Sequence, residues 1–367
     1  MKVLLVIDHF GSGGAQRQLV NLAIGLKNTG HDISIFIYYP EYDFYRNFLE
    51  KYSIRIIDFH KEKQGICASI FRALRNHLKT EKYDVAIAYL DTPSIYLIIS
   101  AIGLKTRIVV SDRSSYLGAK NIIVYFLKRQ IFRMADIIVT NSETQKKWLV
   151  KKAGLPGNRV IKIYNGFDPA DFTPVYIKRV IKNDLKLIAI GGVRPEKNIE
   201  SLILALELFN KKHNWLPRVS WVGKSDSLHY KDKLIMMLEN RPELRAIWNW
   251  SGERSDIPEL LANHHALVLP SYYEGLPNVV CEALFAGKPV IVSNVCDNPI
   301  LIEDNVRGFL FDPKDPHTLA DAIERLNHLS NEDYRNMSFL NRSFAEKNLS
   351  VDNMTERYIS LFAEALK

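Results

Sequence analysis

The chain has 367 residues, 47% of them apolar and 25% charged, with 18 glycines and 15 prolines. That balance excludes a disordered tail, a collagen-like fibre and a small disulfide scaffold, and the length suffices for two domains with separate cores. The net charge of +8 is uneven, with 25 Lys and Arg against 15 Asp and Glu in residues 1–172 and 24 against 26 in residues 173–367. A basic half suits nucleic acid, an anionic membrane surface or an anionic substrate. No helix-turn-helix, zinc-finger or ribonucleoprotein-type motif is present, so nucleic acid is set aside.

Val3–Ile7 is apolar and runs straight into Asp8 and His9. It predicts a first buried strand and not a secretory leader, hence a cytoplasmic protein. Gly11-Ser-Gly-Gly-Ala follows, where Gly13 and Gly14 let a ligand approach the backbone, although a plain tight turn fits the same residues. Helical patterns at Ala15–Lys27 and Gly65–Thr80 alternate with strand patterns at Asp32–Tyr38, Val85–Leu90, Arg107–Val110 and Ile137–Thr140. Such alternation predicts a parallel sheet covered on both faces. Breakers then cluster at Ala153-Gly-Leu-Pro-Gly, Asn165-Gly-Phe-Asp-Pro and Phe172-Thr-Pro. Strands resume at Lys186–Ile190, Arg218–Val222, Ala266–Leu269, Val290–Val292 and Gly308–Phe311, each before a helical pattern. The fold class is therefore α/β, with doubly wound domains at 1–172 and 173–350 and an amphipathic helix at 351–367. Ligands of such sheets sit outside the carboxyl ends of the strands, so the cleft between the domains is the expected site. No run reaches the ~18 apolar residues of a membrane span. Cys67, Cys281 and Cys296 have no metal-like spacing and read as small thiols in a reducing compartment.

Chemistry concentrates in the second half. Pro270-Ser-Tyr-Tyr-Glu-Gly-Leu-Pro-Asn-Val-Val-Cys-Glu follows a strand, and Pro277 suits a helix start. The N–H groups of Leu276, Asn278 and Val279 would face an anion there. Glu274 before the helix and Glu282 within it suit sugar or ribose hydroxyls. Diphosphate at the helix start with hydroxyls at the glutamates describes a sugar nucleotide; a solvated helix start with two surface glutamates is the plainer alternative. Gly191-Gly-Val-Arg-Pro-Glu-Lys places Arg194 and Lys197 at the mouth of the second sheet, where cations could neutralise a leaving diphosphate without a metal. There is no GxxxxGK[ST], no DxD and no HExxH.

In order and spacing these segments resemble family 4 of the retaining glycosyltransferases, which have the GT-B fold. The resemblance covers nearly the whole chain: Gly11-Ser-Gly-Gly, Asn141-Ser-Glu, Tyr164-Asn-Gly-Phe-Asp, Arg194-Pro-Glu-Lys, Ser251-Gly-Glu-Arg-Ser-Asp-Ile, the glutamates 274 and 282 with seven residues between them, and Arg307-Gly-Phe-Leu. It implies that Glu274 contacts the donor sugar near the reacting carbon, that Glu282 holds ribose hydroxyls, and that Arg194 and Lys197 neutralise the diphosphate. It also places Gly223, Lys224, Arg254, Ile257, Ser271 and Gly275 in the donor site, with Arg254 and Ile257 in the base-reading loop. Retention, a front-face mechanism and independence of a metal cofactor are implied. Two departures stand out. Gly192 occupies the position of a family arginine, and Ser111-Asp-Arg replaces a family histidine that faces the reacting sugar, so that Asp112 or Arg113 takes its place.

Lys120, Lys128, Arg129 and Arg133 surround the apolar stretch Ile122–Phe126, and Lys146, Lys147, Lys151 and Lys152 surround Trp148 and Leu149. Such stretches suit an anionic membrane. The expected enzyme is peripheral on the inner face of the plasma membrane and moves a sugar from a UDP-sugar, with UDP-N-acetylhexosamine favoured, to a glycan acceptor on a polyprenyl-diphosphate lipid. GDP-mannose and other donors stay open. The alternatives are a sugar-nucleotide epimerase of the same architecture and a silent partner that binds donor or carrier lipid without turnover.

Overall fold

The computed structural model describes residues 1–61, 65–113, 116–118, 121–175, 184–225 and 228–366. The chain divides into two compact units: Met1–Gly166 with Leu349–Lys367, and Phe167–Asn348.

Unit 1 holds, in chain order, β1 (Lys2–Val6), α1 (Gly14–Asn28), β2 (Asp32–Ile37), α2 (Arg46–Lys51), β3 (Arg55–Asp58), α3 (Ala68–Glu81), β4 (Val85–Tyr89) and α4 (Asp91–Ser100). It continues through β5 (Arg107–Asp112), α5 (Ile122–Ile131), β6 (Ile137–Thr140), α6 (Glu143–Lys151) and β7 (Val160–Lys162). The seven strands are parallel in the order β3-β2-β1-β4-β5-β6-β7. Both faces are covered, so β1 reads as a continuous apolar run. Alternation sends Val3, Leu5 and Ile7 to one face, against Leu19 and Leu22 of α1. Leu4 and Val6 go to the other, against Leu74 and Leu78 of α3.

Unit 2 holds β8 (Lys186–Ile190), α7 (Ile199–His213), β9 (Arg218–Val222), α8 (Leu228–Glu239), α9 (Pro242–Ile247), β10 (Trp248–Gly252), α10 (Ile257–Ala262) and β11 (Ala266–Leu269). Then come α11 (Asn278–Phe285), β12 (Val290–Ser293), α12 (Asn298–Leu301), β13 (Gly308–Phe311), α13 (Pro316–His328) and α14 (Asn331–Leu349). Its six strands are parallel in the order β10-β9-β8-β11-β12-β13.

The last helix, α15 (Val351–Ala365), belongs to unit 1. Met354, Tyr358 and Phe362 join the same face as α1. The helices lie so close that a Cβ at Gly25 would stand 2.1 Å from Thr355 Oγ1; only glycine fits. The boundary falls after Gly166 and not at residue 172, because Phe167 and Phe172 pack on Phe285 of unit 2, with ring centroids 6.0 and 5.9 Å away. The return to unit 1 comes at Leu349, two residues ahead of the expected 351.

Lys288 is buried in unit 2, where its Nζ donates to the carbonyls of Val175 (2.7 Å) and Ala262 (3.1 Å). Burial lowers its ammonium from the ordinary 10.5 to about 8. Between those values the unfolded chain keeps a proton that the folded chain has released, so the stability of unit 2 rises with pH across this window. The expected slope is about 1.4 kcal/mol per pH unit at most. Urea midpoints of the protein and of Lys288→Met between about pH 8 and 9.5 test it: the difference between the two should change with pH.

Candidate active site

In unit 2, β8 and β11 are neighbours although β9 and β10 lie on the far side of β8. A doubly wound sheet opens a crevice at its carboxyl edge at such a point. β8 exits into Gly191 and Gly192, then a 3-10 turn at Pro195–Lys197. β11 exits into Pro270, Ser271 and the loop that carries Glu274. Asn198, buried and in the left-handed region (φ 53°), joins the exits: its Nδ2 donates to the carbonyls of Pro270 (3.1 Å) and Pro313 (2.8 Å). The Tyr272 N–H donates to the Glu196 carbonyl at 2.9 Å.

These ties bring together side chains 77 residues apart. Lys197 Nζ lies 2.6 Å from Glu274 Oε1, with the two side chains 20% and 13% exposed. Ser271 Oγ donates to the same oxygen at 2.6 Å. Oε1 is thus held twice, while Oε2 has no hydrogen-bond partner among the described residues. The Glu274 N–H donates to Cys296 Sγ at 3.4 Å, which fixes the loop from below. The close approach of neighbouring exits needs a bare backbone: a Cβ at Gly223 would stand 2.0 Å from the Gly191 carbonyl oxygen.

The remaining expected donor residues divide. Gly275 faces open space, with nothing within 4 Å of a Cβ built on it. α11 starts at Asn278 with Pro277 as its cap, so the prolyl ring sits one position ahead of the expected first turn. Leu276 is buried, and Asn278 and Val279 are half-buried. Glu282 is buried inside α11. Ser271, expected in the donor site, is fully buried and donates to Glu274. Arg194 is 53% exposed, 3.9 Å from Glu196, and is not drawn into the Lys197–Glu274 pair. Lys224 is exposed, and its carbonyl accepts the Val193 N–H at 2.9 Å. Arg254 and Ile257 follow β10, the edge strand, where Arg254 Nε donates to Asp256 at 2.8 Å. Asn198 escaped the sequence reading. An Asn directly before a helical pattern signals a helix cap, but here its side chain crosses to β11 instead.

A fixed ammonium, a carboxylate with one open oxygen and a helix start on one edge can hold an anion and hydroxyls side by side. Comparison with known proteins identifies the family. Residues 12–171 match the family model "Glycosyltransferase Family 4", and residues 177–342 match "Glycosyl transferases group 1". The chain belongs to glycosyltransferase family 4. It is 27% identical, over 99% of both chains, to the GalNAc-alpha-(1->4)-GalNAc-alpha-(1->3)-diNAcBac-PP-undecaprenol alpha-1,4-N-acetyl-D-galactosaminyltransferase of Campylobacter jejuni. It is 26% identical to the UDP-Gal:alpha-D-GlcNAc-diphosphoundecaprenol alpha-1,3-galactosyltransferase of Escherichia coli, covering 68% of this chain and 67% of that one. A glycosyltransferase from Rickettsia africae superposes with a TM-score of 0.85 at 18% identity, covering 100% of this chain and 98% of that one. Anabaena HepE in complex with UDP-glucose superposes at 0.81, with 18% identity over 99% and 100%. The fold is GT-B.

In unit 1 of this glycosyltransferase, Gly13 caps α1 and Gly14 is its first residue. The exit of β5 departs from expectation. Asp112 is fully buried, bonded by Arg129 Nη2 (2.7 Å) and Gln145 Nε2 (2.9 Å). Burial pushes its carboxyl up, opposed by the Arg129 guanidinium. Arg113 turns to neutral partners: Ser111 Oγ (2.7 Å), the Tyr89 and Tyr358 hydroxyls (2.8 and 3.2 Å) and Asn165 Oδ1. Arg129, expected as a surface cation, is buried and also bonds Asp91 at 2.8 Å. Trp148 and Leu149 pack into the core. Lys120 lies outside the described residues. What stays exposed on α5 is apolar: Ile122, Ile123, Val124, Phe126 and Leu127. A groove of about 670 Å³ lies there, lined by Tyr116, Ile122, Ile123, Phe126 and Trp148 and edged by Lys147, Lys151 and Lys152. No helix of the described residues is long and apolar enough to cross a membrane.

Proposed function

We propose that the enzyme transfers a sugar from a UDP-sugar, an N-acetylhexosamine by preference, to a glycan carried on a polyprenyl-diphosphate lipid in cell-surface polysaccharide synthesis, with retention and without a metal. The observation that carries the reading is the Lys197–Glu274 pair at the crevice of unit 2. In this reading Glu274 Oε2 takes a donor hydroxyl and Lys197 faces the diphosphate. Glu282 holds the ribose hydroxyls, the start of α11 faces the diphosphate beside Lys197, and Arg194 swings in as a second cation. As the C1–O bond to the diphosphate breaks, the acceptor oxygen bonds to C1 from the same face. The proton of the acceptor hydroxyl passes to the leaving phosphate oxygen, so no protein base is required. The names of the Campylobacter and Escherichia coli relatives, both acting on undecaprenol diphosphates, support the acceptor class.

A nucleotide-release assay tests this, with a panel of nucleotide sugars, a membrane extract as acceptor source, and EDTA. UDP release should require the extract, survive EDTA and vanish in Glu274→Ala. Donor consumption without extract would point to an epimerase or hydrolase instead, and donor binding without turnover to a silent partner.

The exposed face of α5 and the lysine-edged groove support peripheral binding to an anionic leaflet at the cytoplasmic surface. Vesicles containing anionic lipid should capture the protein at low salt, and replacing Lys147, Lys151 and Lys152 together by glutamine should abolish capture. No capture by the unmodified protein would sink the membrane reading.

A further inference from the structure

Unit 1 has its own switch point, between β1 and β4. Asp8, His9 and Tyr42, around the exit of β1, have no role in the reading above, and three observations converge on them.

Asp8 and His9 leave β1 half-buried. His9 Nδ1 accepts the Gly11 N–H at 2.8 Å, so the neutral ring carries its proton on Nε2. Asp8 Oδ1 accepts from the His9 N–H (2.9 Å) and Gln16 Nε2 (3.2 Å), whereas Oδ2 has, among the described residues, only His9 Nε2 at 3.8 Å. Beside them stands the Tyr42 ring, 55% exposed and 5.1 Å from the His9 ring. Its loop is fastened to the same exit, with the Phe10 N–H donating to the Tyr42 carbonyl (2.9 Å) and the Tyr45 N–H to the Phe10 carbonyl (3.2 Å). Phe44 and Phe48, both exposed, extend the aromatic surface along this segment.

Large rings held open to water on a fastened loop mark a binding surface. An aromatic face beside an open carboxylate oxygen and an imidazole N–H suits a pyranose. Its C–H face lies on the ring, and its hydroxyls meet Asp8 and His9. The Asp8 carboxylate would repel a phosphate, so a second nucleotide site does not fit. We propose that Asp8, His9 and Tyr42 form the subsite for the terminal sugar of the glycan acceptor, with Phe44 and Phe48 taking the sugars behind it. This rests on the reading of the acceptor as a glycan.

The test uses the full chain, with Tyr42→Ala and Asp8→Asn. Lipid-linked oligosaccharide extracted from source-cell membranes is varied at saturating donor, and UDP binding and thermal midpoints are measured alongside. The acceptor KM should rise about ten-fold in each variant, with donor KM, UDP affinity and midpoint unchanged. Tyr42→Phe should recover most of what Tyr42→Ala loses. An acceptor KM within about two-fold of the parent's in both variants, in protein that turns over, overturns the subsite and leaves glycosyl transfer standing. If the unmodified protein turns over no donor, the glycan-transfer reading is what fails. The subsite is then read by saturation-transfer NMR with methyl glycosides of N-acetylgalactosamine, galactose and mannose. Transfer present in the parent and lost in Tyr42→Ala supports it; transfer equal in both, or absent from both, overturns it.

Discussion

Lys197→Met is expected to lower kcat by about 100-fold or more, with UDP affinity falling much less. The ammonium sits 2.6 Å from Glu274, and in the proposed reaction it faces charge that grows only as the diphosphate departs. An interaction stronger in the transition state than in the bound donor shows in kcat. Arginine is a poor substitute. The Lys197 stem runs over Gly191, where even a Cβ would stand 3.2 Å from its Cε, and a planar fork needs more room than a point charge. Because Lys197 and Glu274 are paired and act as one unit in the proposed reaction, Lys197→Met with Glu274→Gln should be little worse than either alone. UDP release at saturating donor and calorimetric UDP titration give the two readings. A Lys197→Met enzyme within about three-fold of the parent in kcat would remove Lys197 from the chemistry.

The largest expected effect on stability lies in the other unit. Arg129→Met leaves Asp112 sealed in the interior without its cation. Breaking a buried pair from one side costs about 3–5 kcal/mol. Arg129 bonds both Asp112 and Asp91 and lies 3.6 Å over the Tyr125 ring, so the loss reaches β5, α4 and α5 together. For a unit of this size that is a fall in thermal midpoint of about 10 °C. Asp112→Asn in the same chain should recover part of it, since an amide tolerates burial without a counter-ion better than a carboxylate. A midpoint within about 2 °C of the parent's in Arg129→Met would show the network to be incidental.

The sequence was most legible where a strand is buried on both faces. β1, β8 and β11 each gave a continuous apolar run with no alternative pattern. The strands that went unread, β3, β7 and β10, are all edges of their sheets. Arg55–Asp58 alternates weakly and is half exposed, and Val160–Lys162 is only three residues long. Trp248–Gly252 presents tryptophans packed on Trp221, 6.4 Å between ring centroids for Trp248, which carry no strand period. The site was legible as two motifs and not as one pair. Lys197 and Glu274 meet because β8 pairs with β11, an adjacency that hydrophobic period does not encode. For the same reason Arg129 read as a surface cation. A basic residue on an amphipathic helix looks solvated until a carboxylate on another element, here Asp112 and Asp91, is known to lie beneath it.

The placement of α15 bears on how the molecule is made. Tyr358 bonds Arg113 and fills a core face that β1 and α1 begin to build. During synthesis the first 166 residues therefore emerge with that face uncovered and Arg113 one partner short, while residues 167–348 follow with a core complete in themselves. Domains fold as units while the chain is made, so here the order of birth and the order of completion are reversed. All the residues of the second unit are made before the helix that completes the first.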